Sequence, residues 1–264
     1  MMGVVSRAPL VESSAPIVRG RSARTAPRWQ DAEVIAVIEE APDAVTLRLR
    51  LGETEGFLPG QYYNVRLDVG GRPQPVQRAY SVGSSPLPDP SVIDLGVREV
   101  PGGMVSPRLV RGLAVGRRLE VRGPYGRFTW TGDDGDPVLL VGAGSGLVPL
   151  MAMIRYAALA GLGIPMCLVC SAVTYNHALY RDELARLSGE HGWLRVLHSV
   201  TRDPGETRAT YHRRIDRDLL ADVLGGEVPA QAYLCGPPAM VDAVAAAFAG
   251  LGVDPGRVRS EKYD

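Results

Sequence analysis

Two different grammars of apolar and polar residues divide this chain. From Ala32 to about Trp130, apolar residues alternate with polar ones in short runs, as in Glu33 to Ile38, Val45 to Arg50, Tyr63 to Leu67 and Val92 to Val97. A period of two is the mark of a half-buried strand. Turn residues such as Leu58-Pro59-Gly60 and Pro86-Leu87-Pro88-Asp89-Pro90 separate the runs at short intervals. Successive strands without intervening helices predict a small antiparallel barrel. After Thr131-Gly132-Asp133-Asp134-Gly135-Asp136-Pro137 the pattern changes. Continuous apolar runs of strand length (Val138 to Val141, Cys167 to Cys170, Leu194 to Val200, Ala232 to Cys235) alternate with helical patterns around Leu150 to Leu159, Arg181 to Leu187, Arg217 to Leu224 and Ala239 to Ala249. That order predicts a parallel sheet wound by helices, an α/β unit. No internal repeat is visible.

A length of 264 residues accommodates two units, each large enough to bury a core. The expected division is a tail over 1–28, a barrel domain over 29–131 and an α/β domain over 132–264. The tail carries five arginines against the single acid Glu12 and is rich in Ser, Ala and Pro; without an apolar stretch or a twin arginine it reads as disordered rather than as a targeting signal. Pro137 to Ile154 is uncharged over a length at the lower limit for a bilayer span, but glycines 142, 144 and 146 and Pro149 interrupt it. A cytoplasmic, monomeric protein with no membrane span is expected.

The charge is balanced, 29 basic residues against 29 acidic, which removes the basic excess expected of a nucleic-acid protein. Three cysteines make no disulfide framework and fall short of the four ligands of a plant-type iron-sulfur cluster, so no iron-sulfur cluster is expected in this chain. Cys167 and Cys170 form a Cys-x-x-Cys inside an apolar run with no second pair to complete a zinc site, and are expected to be core residues. His177, His191, His198 and His212 show no metal spacing, and nothing resembles a nucleophile elbow or a paired-carboxylate site.

Four strings carry chemistry. Arg78-Ala79-Tyr80-Ser81 sits at a strand, with Arg78 and Tyr80 on one face and Ser81 on the other; alone, such an Arg and Tyr make a sheet-stabilising pair. Val100-Pro101-Gly102-Gly103-Met104-Val105-Ser106 can present amides and a hydroxyl to a phosphate at a helix start, or be a loop with an N-cap serine. Gly142-Ala143-Gly144-Ser145-Gly146 lies between strand and helix, where backbone can approach a pyrophosphate. Its third glycine comes one residue early for the dehydrogenase fingerprint, and Ser171-Ala172-Val173-Thr174 stands where that fingerprint wants an acid. Cys235-Gly236-Pro237-Pro238-Ala239-Met240 follows another strand end.

In order and spacing these strings resemble the ferredoxin-NADP reductase family, in particular its stand-alone bacterial ferredoxin reductases and oxygenase reductase components. The resemblance runs from about Trp29 to the end of the chain. It implies a six-stranded antiparallel Greek-key barrel that binds FAD, followed by an NAD(P)-binding parallel-sheet domain. It places Arg78 on flavin phosphate, Tyr80 against the ring system, Ser81 near N5, and Ala79 and Val97 among the flavin contacts. It assigns Gly103, Val105 and Ser106 to the FAD pyrophosphate, and Gly123-Pro124-Tyr125-Gly126 to a turn closing the barrel.

On the nicotinamide side the resemblance implicates Gly142, Gly144, Ser145, Gly146, Gly236 and Pro237, with Cys235 beside the nicotinamide C4. Thr201-Arg202 resembles the pair that grips a 2′-phosphate, which leans toward NADPH over NADH, while Val173 stands where relatives carry an arginine. The chain reads Glu261-Lys262-Tyr263-Asp264 where many relatives end in a Glu-Arg-Phe-Gly string. The family places that aromatic close to the flavin, so the resemblance implies that Tyr263 stacks on the ring, where the nicotinamide has to displace or pass it, and that Glu261 joins a proton path to N5. The alternative for these last residues is a frayed terminus. Ser81, Cys235, Glu261 and Tyr263 are therefore the candidate catalytic residues. The implied activity is electron transfer from NAD(P)H through FAD to a separate ferredoxin-type iron-sulfur protein serving an oxygenase or cytochrome P450. The alternatives are a reductase of free flavin and a non-catalytic flavin-binding subunit.

Overall fold

The structure, a computed structural model, describes residues 26–263; all but the last three residues of the expected tail lie outside the described residues. Strands β1 (Gln30–Ala41), β2 (Ala44–Leu51), β3 (Tyr62–Leu67), β4 (Val76–Ser81), β5 (Val92–Arg98) and β6 (Arg118–Tyr125) form one antiparallel sheet in the order β4-β3-β6-β1-β2-β5. Alternation explains the curl. In β2, Val45, Leu47, Leu49 and Leu51 point inward to join Val65, Ile93, Leu95 and Val121, while Arg48 and Arg50 face out. A bridge between Val82, just past β4, and Leu95 in the middle of β5 brings the two outer members together, so the sheet curls around its own core, while β4 itself keeps one side unpaired. One helix, α1 (Ser106–Arg111), follows β5.

The second unit is a five-stranded parallel sheet, ordered β11-β10-β7-β8-β9, from β7 (Val138–Ala143), β8 (Met166–Ala172), β9 (Leu194–Val200), β10 (Gln231–Gly236) and β11 (Val258–Lys262). Helices α2 (Leu147–Leu159), α3 (Arg181–Glu190), α4 (Arg217–Leu224) and α5 (Pro238–Gly250) wind around it. Its strands read as unbroken apolar runs because both faces are covered. In β7, Leu140 packs into a cluster with α2, whereas Leu139 and Val141 pack against α4 and α5. The same alternation separates the Cys-x-x-Cys: Cys170 lies in the α2-side cluster and Cys167 packs on the opposite one. Cys170 instead meets His198, 3.0 Å from its Nδ1.

The uncharged stretch from Pro137 to Ile154 becomes a strand, a tight turn and the first half of α2. Among the described residues no helix is long and apolar enough to cross a membrane. Phe128 and Trp130, just after β6, share the α2-side core with Tyr156 and Tyr233, the Trp130 and Tyr156 rings meeting edge-on at 6.3 Å. The barrel and the sheet are thereby joined through α2.

Candidate active site

A cavity of about 520 Å³ opens between the barrel and the carboxyl ends of the parallel strands, the position where α/β sheets bind ligands. Arg78, Ala79, Tyr80 and Ser81 of β4 line one wall. β4 is paired only with β3, through register Tyr62↔Ser81 and Tyr63↔Tyr80, so its free side faces the cavity. The Arg78 guanidinium is exposed, donates to the Gln77 carbonyl at 2.8 Å, and pairs with no carboxylate among the described residues. Tyr80 is half-buried, and its hydroxyl is pushed up to about 12 by burial, with Arg78 acting in the opposite direction. It therefore stays protonated across the neutral range.

Gly103, Val105 and Ser106 form a second part of the wall. The Gly103 amide donates to the Val100 carbonyl at 2.8 Å, so it closes a turn rather than facing the cavity with a free N–H. Ser106 is not the N-cap of α1. Val105 holds that position, and the Ser106 hydroxyl accepts from the Val100 amide at 3.0 Å, which leaves its proton available. In the first turn of α1, Pro107 has no N–H and the Arg108 and Leu109 amides already donate to the Val105 carbonyl at 3.0 and 3.1 Å, so the Ser106 hydroxyl and amide are the donor set the loop offers.

The opposite wall comes from the second unit: Ser145, Glu261, Lys262 and Tyr263. β7 ends in a 3-10 turn, Gly144–Gly146, that runs straight into α2. Gly146 is required by close approach, because a Cβ there would lie 2.1 Å from the Cys235 carbonyl oxygen. Gly142 pairs in register with Cys235, and Cys235 with Glu261. Cys235 is buried behind the turn and outside the cavity lining; burial, and next the nearby Glu261, raise its thiol, so it remains protonated. Gly236 ends β10, and Pro237 caps α5. Burial raises the Glu261 carboxyl, which makes it readier to hold a proton.

β11 is not frayed. It pairs with β10 in parallel, and the Tyr263 amide donates to the Gly236 carbonyl at 3.3 Å. The Tyr263 hydroxyl donates to the Ala143 carbonyl and accepts the Gly146 amide at 2.9 Å. The terminal tyrosine thus caps the glycine turn while its ring lines the cavity. The predicted Tyr80, Ser81, Ser106, Ser145, Glu261 and Tyr263, from four separated strings, meet in one space. Val97 does not; it is buried in the barrel core, with its neighbours Gly96 and Arg98 at the cavity instead.

Thr201 and Arg202 follow β9, where their amides bond to the end of β8, Arg202 to the Val173 carbonyl at 2.8 Å. Both are exposed and lie outside the cavity lining. Next to them Arg208 lies 4.1 Å from the Tyr175 ring and is held by Glu206 at 2.7 and 2.6 Å. Sequence reasoning passed over this pair and over Gly96. A glycine inside an apolar strand run signals a close approach; here a Cβ would lie 2.3 Å from Val148 of α2.

Comparison with known proteins agrees with this layout. The family model for an oxidoreductase FAD-binding domain matches residues 31–130, and that for an oxidoreductase NAD-binding domain matches 140–246. Ferredoxin–NADP reductase B of Sorangium cellulosum is 32% identical over 243 residues, which cover 89% of this chain and 97% of that protein. This chain belongs to the ferredoxin–NADP reductase family. The reductase component of the naphthalene 1,2-dioxygenase/salicylate 5-hydroxylase systems of Ralstonia sp. is 32% identical over 87% of this chain and 67% of its own, longer sequence. Among solved structures, a cytochrome P450 reductase of Amycolatopsis superposes with a TM-score of 0.78 at 29% identity, over 90% of this chain and 71% of that one. The ferredoxin reductase of a carbazole 1,9a-dioxygenase gives 0.77 at 28%, over 90% and 70%. As a member of this family the chain is an NAD(P)H-dependent flavoprotein reductase, its barrel binding FAD and its parallel-sheet unit NAD(P).

The tyrosine cap carries a prediction for such a reductase. The Gly146 amide is already taken by the Tyr263 hydroxyl, so a dinucleotide pyrophosphate docking on this turn would have to compete with it. Tyr263→Phe keeps the ring and removes the competitor, so KM for the nicotinamide substrate is expected to fall about three- to tenfold, the equivalent of one ordinary hydrogen bond. Steady-state titration checks this; an unchanged or raised KM contradicts the competition.

Proposed function

We propose that this reductase passes electrons from NADPH, through bound FAD, to a separate iron-sulfur protein of the ferredoxin type that serves an oxygenase or cytochrome P450. What carries the reading is the convergence of the β4 string, the Ser106 loop, the glycine turn and the terminal β11 segment on one cavity between the two units. The residues present suit FAD: an unpaired guanidinium for phosphate, a tyrosine face, and hydroxyl donors at Ser81 and Ser106. The flavin, when bound, supplies the chemistry that accepts hydride from a nicotinamide and releases electrons singly.

The chain's own residues bind and orient. Arg78 neutralises a phosphate, and the hydroxyl and amide of Ser106 hold the pyrophosphate. Tyr80 offers its face to the ring system, with Ala79 beside it on the strand. Ser81 supplies a hydroxyl where hydride arrives. On the other wall the Gly142–Gly146 turn and the N-terminus of α2 receive the dinucleotide pyrophosphate. Gly236 and Pro237 carry the chain past the nicotinamide, and Cys235 backs the turn as a neutral thiol. Glu261, raised by burial, holds a proton at the cavity. Thr201 and Arg202, free of any carboxylate among the described residues, take the 2′-phosphate that distinguishes NADPH. The iron-sulfur centre belongs, in this proposal, to the partner. The relatives that are reductase components of oxygenase systems and of a cytochrome P450 support that choice of acceptor.

The test is anaerobic mixing of the FAD-loaded protein with NADPH or NADH, followed by addition of an oxidised [2Fe–2S] ferredoxin. Bleaching of the flavin band, faster with NADPH, and subsequent reduction of the ferredoxin are expected. Turnover that scales with added free flavin and leaves the ferredoxin oxidised would overturn the proposal.

A further inference from the structure

Helix α2 is apolar along its length except for one charged residue, Arg155. A guanidinium in such a setting requires partners, because an uncompensated buried charge is strongly unfavourable. Arg155, whose side chain is 15% exposed, has partners in both units. Within the parallel-sheet unit its Nε and Nη2 donate to Glu183 of α3 at 2.9 and 2.5 Å, and its guanidinium lies 5.0 Å from the Tyr180 ring centre. Toward the barrel, Nη1 donates to the Gly83 carbonyl at 2.7 Å and lies 3.6 Å from Asp94 Oδ2. Asp94 is 3% exposed and is itself gripped by Arg48 through bonds of 2.8 and 2.9 Å. The Gly83 amide donates to the Asp94 carbonyl at 2.7 Å, so Arg155 holds two barrel segments that are already fastened to each other.

Those segments are continuous with the cavity wall. Gly83 is two residues past Ser81, and Asp94 two before Gly96; both Ser81 and Gly96 line the cavity. At its other end α2 begins at Leu147, two residues after Ser145 of the 3-10 turn, which lines the facing wall. From Ser145 to Arg155 the turn and helix together span about 15 Å at about 1.5 Å per residue. Val148, between them, fills the space that Gly96 leaves without a side chain.

We propose that Arg155 is a positioning residue for the reductase reaction: by fastening α2 to Gly83 and Asp94 of the barrel, it fixes how the glycine turn faces the flavin wall. It sets the rate of hydride delivery and not the affinity for either nucleotide. The proposal rests on the functional reading above. Its leverage is mechanical, since a tilt of about 4° over a helix of about 15 Å displaces the far end by about 1 Å, a misplacement that can cost about 100-fold in rate. Lysine cannot replace the fork, because only a guanidinium engages Glu183 with two nitrogens while a third group reaches Gly83.

The test uses the FAD-loaded protein mixed anaerobically with saturating NADPH, together with hydrogen exchange of the cofactor-free chain. Arg155→Ala is expected to slow flavin bleaching about 10- to 100-fold while FAD and NADPH dissociation constants stay within about twofold, and Arg155→Lys to recover only part of the rate. In hydrogen exchange, amides of 82–84 and 94–96 are expected to open about tenfold faster in Arg155→Ala than in the parent chain. Bleaching within about twofold of the parent, exchange that does not change, or affinities that fall as far as the rate would each overturn the proposal. If Arg155→Ala does not fold, Glu183→Gln keeps the shape and removes one charge. Slower bleaching at unchanged FAD affinity is then expected, and full-rate bleaching overturns the positioning role. A parent protein that binds FAD but is bleached by neither nicotinamide defeats the functional reading instead; the hydrogen-exchange comparison alone then decides whether Arg155 fastens the two units.

Discussion

Gly146→Ala is expected to lower kcat/KM for the nicotinamide substrate about 100-fold while FAD stays bound. The cause is a backbone collision. A Cβ at this position would lie 2.1 Å from the Cys235 carbonyl oxygen and 2.4 Å from its carbon, and neither can swing away as a flexible side chain can. The turn has to move off the end of β10, taking with it the amide that Tyr263 now caps and the start of α2. Strain of this kind typically costs about 1–3 kcal/mol, which for a protein of this size lowers the melting temperature by roughly 2–4 °C per kcal/mol. The barrel wall that carries Arg78, Tyr80 and Ser106 is not touched, so flavin content after purification is the internal control. Steady-state kinetics beside a thermal melt separate the outcomes. Kinetics within about twofold of the parent would mean that the turn does not take part in nicotinamide binding.

How far the chain could be read beforehand depended on which force built each part. β2, β3 and β5 were legible because each has one face in the barrel core, so burial wrote a period of two into the sequence. The runs of β7 and β8 were legible as strands because two covered faces demand apolar residues at every position. β11 was not, since Val258-Arg259-Ser260-Glu261-Lys262 has a single apolar residue and is held by main-chain bonds to β10 at the sheet edge. The cavity was readable as strings but not as a space. Tyr62, Gly96, Arg98 and Lys262 enter it through strand pairing and the docking of α2, neither of which leaves a local pattern. Val97 shows the converse: its side chain lies in the barrel core while its neighbours Gly96 and Arg98 line the cavity, in a strand whose alternate residues face opposite ways. Arg155 did leave a signal, a lone charge in an apolar helix.

Arg78→Ala is expected to weaken FAD binding about 10- to 100-fold without destabilising the fold. In the cofactor-free protein the Arg78 side chain is exposed, donates only to the neighbouring Gln77 carbonyl, and has no carboxylate to leave unpaired among the described residues. Removing it therefore strands nothing, and substitutions at such surface positions change stability by no more than about 0.5 kcal/mol. Bound to a phosphate, the same guanidinium makes a charge-assisted hydrogen bond of about 1.5–3 kcal/mol, which is the stated loss of affinity. The variant should elute colourless from a desalting column, regain colour when FAD is added in excess, and then be bleached by NADPH at close to the parent rate, because nothing on the nicotinamide wall has changed. Screening supplies a second check. Added salt should weaken FAD binding in the parent more than in the variant, since the exposed cation that salt screens is present only in the parent. Retention of flavin equal to the parent's would place the phosphates elsewhere and would leave Arg78 as a surface residue of β4.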